Sequence, residues 1–115
     1  MTGGLDVQTH VSDHSLFVTL VGEYDLTMEG ALHTQAEPLL TGGIHSVILD
    51  LTRLTYCDST GLRDVVLLRR ASERAGMALS IYVAKGSVIA RVIHWMGFDT
   101  MVRVVEVPED VGLIG

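Results

Sequence analysis

The chain has 115 residues, the usual size of one domain, and 48% of them are apolar, enough for a packed core. Its formal net charge is −6 with only eight Lys and Arg, which argues against a nucleic-acid partner and favours a basic protein surface. Runs such as Val65-Val66-Leu67-Leu68 are far shorter than the roughly 18 apolar residues of a membrane span, so no membrane partner is expected.

Val7 to Val11 alternates as a strand does, Asp13-His14-Ser15 reads as a turn, and Leu16 to Gly22 is a stronger, β-branched strand. The two are expected to form an antiparallel hairpin. Asp25 or Thr27 then offers a helix N-cap, with Met28, Ala31, Leu32, Gln35, Ala36 and Leu39 at helical spacing. Pro38 should kink or fray that helix, and Thr41-Gly42-Gly43 should stop it. Ser46 to Leu51, with Val47-Ile48-Leu49 at its centre, has the composition of a buried strand; a loop through Arg53 and Tyr56 follows.

From Asp58 the period changes. Leu62, Val65, Val66, Leu68, Ala71 and Ala75 make one helical stripe closed by Gly76. Met77 to Val83 is the next strand. Ser87 to Met96 is a third helix ended by Gly97, and Met101 to Val107 a last strand before a short tail, 108–115. The order β-β-α-β-α-β-α-β predicts a single α/β domain over 1–115, its core about 7–107. Its sheet should be mixed and mostly parallel, opened by the hairpin and joined by right-handed crossovers, with helices packed on it.

The chemistry concentrates at Asp58-Ser59-Thr60-Gly61, where a helix begins after a buried strand. Such a start presents unpaired N–H groups and partial positive charge, which suit a capping side chain or an anion. Ser59 therefore has two readings. It is a helix cap, or it is a hydroxyl that accepts a phosphate, adding about −1.5 to −2 charge units beside Asp58. Gly61, lacking a side chain, would allow close approach of another backbone or of a nucleotide phosphate.

The run Asp58-Ser59-Thr60-Gly61-Leu62 resembles the phosphorylation motif of STAS-domain anti-sigma factor antagonists, with Ser59 at the phosphoacceptor. Gly22-Glu23-Tyr24-Asp25 is similar to that family's Gly-Glu-Leu-Asp segment, and Val47-Ile48-Leu49-Asp50-Leu51 to the strand before its serine loop. The resemblance implies a STAS-like fold and a bacterial, non-enzymatic regulator of transcription that works by partner switching. Unphosphorylated, such a protein binds an anti-sigma factor that is also a serine kinase, freeing a sigma factor. The kinase then phosphorylates the antagonist, and a serine phosphatase resets it. Carried onto this chain, Ser59 is the acceptor, and Asp25, Asp58, Thr60, Gly61, Leu62 and Arg63 form the partner-binding surface. The chain needs no cofactor or metal of its own, because ATP and magnesium arrive with the kinase. Tyr24 departs from the family's small aliphatic residue, and Asp64 adds negative charge near the expected interface. The family usually ends in a longer C-terminal helix, which the two glycines of Pro108 to Gly115 disfavour; the stretch is expected to be a stub, or to leave one sheet face poorly covered and favour a homodimer.

Other chemistry has less support. The five histidines show no His-x-x-x-His or Cys/His pair at ligand spacing. Ser59 lacks the Gly-x-Ser-x-Gly elbow of a hydrolase. Cys57 reads as a small buried residue, and as the lone cysteine it fits a reducing cytoplasm. Met1 to Asp6 has neither the basic nor the apolar stretch of a secretory leader. Trp95, Met96 and Phe98 are expected to pack the third helix on the sheet, or else to form an exposed apolar ridge for binding. The alternative function is a STAS binding subunit that is never phosphorylated, within a signalling assembly or a lipid-transport complex.

Overall fold

The computed structural model describes residues 4–108. Strands β1 (Leu5–Ser12) and β2 (Ser15–Tyr24) pair antiparallel. Asp13 and His14 both have positive φ, 50° and 65°, as a two-residue hairpin turn of the tightest kind requires. Ser15 belongs to the strand rather than the turn.

From β2 onward every pairing is parallel. Strands β3 (Ser46–Cys57), β4 (Ala78–Ala84) and β5 (Arg103–Val107) add in turn, giving the order β1-β2-β3-β4-β5 among the described residues. Three crossovers advance in one direction across the sheet, and crossovers of the same hand put their helices on the same face. The buried residues of α1 (Ala31–Gln35), α2 (Ser59–Arg74) and α3 (Val88–Trp95) accordingly share one core with Leu16, Val18, Leu20, Val47, Leu49 and Ile81.

Three elements differ from the sequence expectation. The first helix is not continuous. It divides into a 3-10 turn at Leu26–Met28, the five residues of α1, and a second 3-10 turn at Glu37–Leu39 that contains Pro38. Gly30 breaks it at φ 84°, a conformation open to glycine and costly in a helix interior. Strand β3 does not end at Leu51. Arg53, Leu54, Tyr56 and Cys57 pair with Val21 to Tyr24 across two register shifts, so the expected loop is strand. Finally, Trp95 and Met96 are exposed and only Phe98 is buried, so of the three only Phe98 packs into the core. The tail from residue 109 lies outside the described residues.

Candidate functional site

Strands β2 and β3 run parallel, so their C-terminal ends lie side by side. Tyr24 pairs with Cys57, and the Asp58 N–H donates to the Tyr24 carbonyl at 3.1 Å. Two segments therefore emerge together: Asp25 with its 3-10 turn, and the start of α2. This is where ligand-facing residues collect in open parallel sheets.

At the α2 start, Asp58 is the cap. Its Oδ1 accepts from the N–H groups of Thr60 and Gly61 at 2.8 and 3.3 Å. Ser59 is therefore the first helical residue, not the cap. It is exposed, and its hydroxyl enters none of the side-chain hydrogen bonds among the described residues. Of the two readings of Ser59, capping has passed to its neighbour.

The other expected site residues fall into different roles. Asp25 holds its own turn, accepting from the N–H and the hydroxyl of Thr27 at 3.0 and 2.5 Å. Thr60 and Leu62 are half-buried, and Leu62 packs against the core. Arg63 is exposed and lies 3.3 Å from Glu29. Gly61 is buried and faces inward: a Cβ there would lie 2.6 Å from Cys57 Sγ and 3.0 Å from the Tyr24 ring. Its glycine seats α2 on the sheet, so the close approach expected of a partner is taken up within the chain.

Asp64 does not reach the surface. It is buried, and its Oδ2 accepts from the Tyr24 hydroxyl at 2.5 Å and the Gly30 N–H at 2.8 Å. The two departures from the family pattern, Tyr24 and Asp64, thus meet. Burial, reinforced by the bond to Asp64, pushes the Tyr24 hydroxyl far above its ordinary range. Cys57 beneath Gly61 is pushed up to about 11, by burial first and then by the charges of Asp58 and Asp64. A thiol so shifted stays protonated at neutral pH and is a poor nucleophile.

Sequence reasoning missed two exposed apolar side chains beside the serine segment, Leu26 (67%) and Tyr56 (51%). No periodicity marks them, because their exposure depends on how far β3 extends and where the first helix breaks. The Tyr24–Asp64 contact had a local signal: Asp64 lies three residues after Gly61 and four before Leu68, on the inward stripe of α2. Among the described residues no three His, Cys, Asp or Glu side chains gather as a metal site would need. Nor is any helix there long and apolar enough to cross a membrane.

The family model described as "Mlab, STAS domain" matches residues 7–106, nearly the whole chain. The chain belongs to the STAS-domain family. The anti-sigma-F factor antagonist RsfB of Mycobacterium tuberculosis is 31% identical to it over 96 residues, covering 81% of this chain and 76% of that protein. Among solved structures, an anti-sigma factor antagonist from Mycobacterium paratuberculosis superposes with a TM-score of 0.76 at 17% identity, over 93% of this chain and 90% of that one. The Bacillus cell fate determinant SpoIIAA in its phosphorylated form gives 0.68 at 18% identity, over 93% and 94%. At such identities the structures establish the shared fold: a STAS domain with a mixed five-stranded sheet.

Proposed function

We propose that this STAS domain is an anti-sigma factor antagonist switched by phosphorylation of Ser59. In this reading the unphosphorylated chain binds an anti-sigma factor through the surface around Asp25, Leu26, Tyr56, Asp58, Ser59 and Arg63. The bound partner, a serine kinase, then modifies Ser59, and a serine phosphatase reverses the change. One observation carries the reading: Asp58 caps α2 and leaves the Ser59 hydroxyl exposed and unbonded. A relative 31% identical that is itself an antagonist supports the same role.

The chemistry is ordinary phosphoryl transfer. The Ser59 oxygen bonds to the γ-phosphorus of ATP, the bond to the β,γ-bridging oxygen breaks, ADP leaves, and the hydroxyl proton passes to a base on the kinase. This chain contributes position. A capped helix start holds the hydroxyl outward without spending it on the backbone. The phosphate then places about two negative charges next to Asp58, which opposes docking of any partner surface that tolerates only the neutral serine.

Calorimetry against the anti-sigma factor of the same genome tests the reading. The wild-type chain and Ser59→Ala should bind alike, and Ser59→Asp should bind at least about tenfold more weakly, the change expected of a misplaced interfacial charge. Equal affinity of all three would overturn charge repulsion at Ser59 as the mechanism.

A further inference from the structure

Arg63 and Asp64 are consecutive on α2, and they hold two consecutive residues, Glu29 and Gly30, of the segment that follows β2. The two links differ in kind. Arg63 and Glu29 lie 3.3 Å apart with side chains 67% and 54% exposed, an arrangement that restrains little. Asp64 is 4% exposed and collects the Tyr24 hydroxyl and the Gly30 N–H on one oxygen. The same Tyr24 hydroxyl accepts from the Leu32 N–H at 3.3 Å. One carboxylate thus joins the end of β2, the entry to α1 and the second turn of α2.

A buried carboxylate is a costly way to pack a helix. None of the ion pairs among the described residues includes Asp64, so no cation offsets its desolvation. An aliphatic residue would fill the same inward position but would leave the Gly30 N–H without an acceptor. What Asp64 adds, then, is a fixed distance between α2 and the loop. That loop carries Asp25, Leu26 and Glu29, and α2 carries Ser59. The Tyr24 ring also lies directly under Gly61, so the first turn of α2 rests on the residue that anchors the loop.

We propose that Tyr24 and Asp64 are a positioning pair that locks the Leu26–Gly30 segment to α2 and so fixes the surface read by the partner of Ser59. The lock stands on the geometry; the identity of its reader rests on the switch reading above.

Amide exchange by NMR on the wild-type chain, Asp64→Asn and Tyr24→Phe tests the lock. In Asp64→Asn the Gly30 and Leu32 amides should exchange about tenfold faster relative to those of Leu49 and Ile81, as exchanging a carboxylate acceptor for the weaker amide oxygen implies. A purely structural role would speed all four by a common factor, and that result overturns the proposal. Should Asp64→Asn fail to fold, Tyr24→Phe, which keeps the Gly30 bond, is read at Leu32 in the same way. With a kinase that modifies wild-type Ser59, both variants should raise KM about tenfold and leave kcat within about twofold, the signature of lost recognition; an unchanged KM also overturns it. A wild-type chain that accepts no phosphate sinks the switch reading alone, and the exchange data still decide the lock.

Discussion

The helices α2 and α3 begin alike and end up with opposite uses for a serine. Each follows the C-terminal end of a parallel strand and opens on a polar cap. In α3 the cap is Ser87 itself, whose hydroxyl accepts from the Ala90 N–H at 3.0 Å. In α2 the cap is Asp58, and the serine comes one residue later. A shift of one position turns a structural hydroxyl into a free one. The residue in front of the cap differs too, Cys57 before α2 and Gly86 before α3. So does the third helical position, Gly61 against Ala90. The α2 start is therefore pressed onto Cys57 and Tyr24, which leaves the outward side as its only open side.

The largest expected contrast concerns that seal. Cys57, with its thiol pushed up to about 11 from 9.0, should react with iodoacetamide at pH 7 roughly tenfold more slowly than an unshifted thiol, its far smaller thiolate fraction being partly offset by the greater nucleophilicity of a more basic thiolate. Because the folded value is raised, the linked stability is complete below pH 9 and is lost as pH rises toward 11. Urea midpoints measured across that range should fall, with Tyr24 acting in the same direction. A fast-reacting Cys57 in the folded protein would show that α2 does not close over it.

Gly61→Ala comes next. The added methyl meets Cys57 and the Tyr24 ring, and overpacking of this kind costs about 1–3 kcal/mol, outweighing the roughly 1 kcal/mol gained in helix propensity. A more stable variant by urea unfolding would contradict the tight seating. Asp58→Ala and Ser87→Ala should each lose about 1 kcal/mol, since both remove a working cap. Ser59→Ala should change stability by less than about 0.5 kcal/mol, as exposed substitutions without a structural task do. If Ser59→Ala cost as much as Ser87→Ala, the contrast between the two serines would collapse.

Much of this was legible in sequence because it is local. Asp58, Gly76, Ser87 and Gly97 mark the ends of α2 and α3 through capping chemistry that needs no distant partner. The hairpin and the parallel order followed from strand spacing. What was not legible depends on pairing across the fold. Thr52 to Tyr56 has no strand signal strong enough to override a loop reading, and it becomes strand because β2 continues to Tyr24 beside it. The choice between cap and acceptor at Ser59 turned on a one-residue register that Asp58 and Ser59 satisfy equally well on paper. The inward position of Asp64 on α2 was legible from its spacing, but its partners were not: a carboxylate is expected outside, and Tyr24 and Gly30 explain it inside.

The most direct measurement is site-resolved mass spectrometry of the chain after incubation with the serine kinases of its own genome and ATP. One phosphate on Ser59, none on Ser87 and none in Ser59→Ala is the expected result. Phosphate on Thr60 or Ser87 in place of Ser59, or none with every kinase, would contradict the central claim that the freed hydroxyl at the start of α2 is the switch.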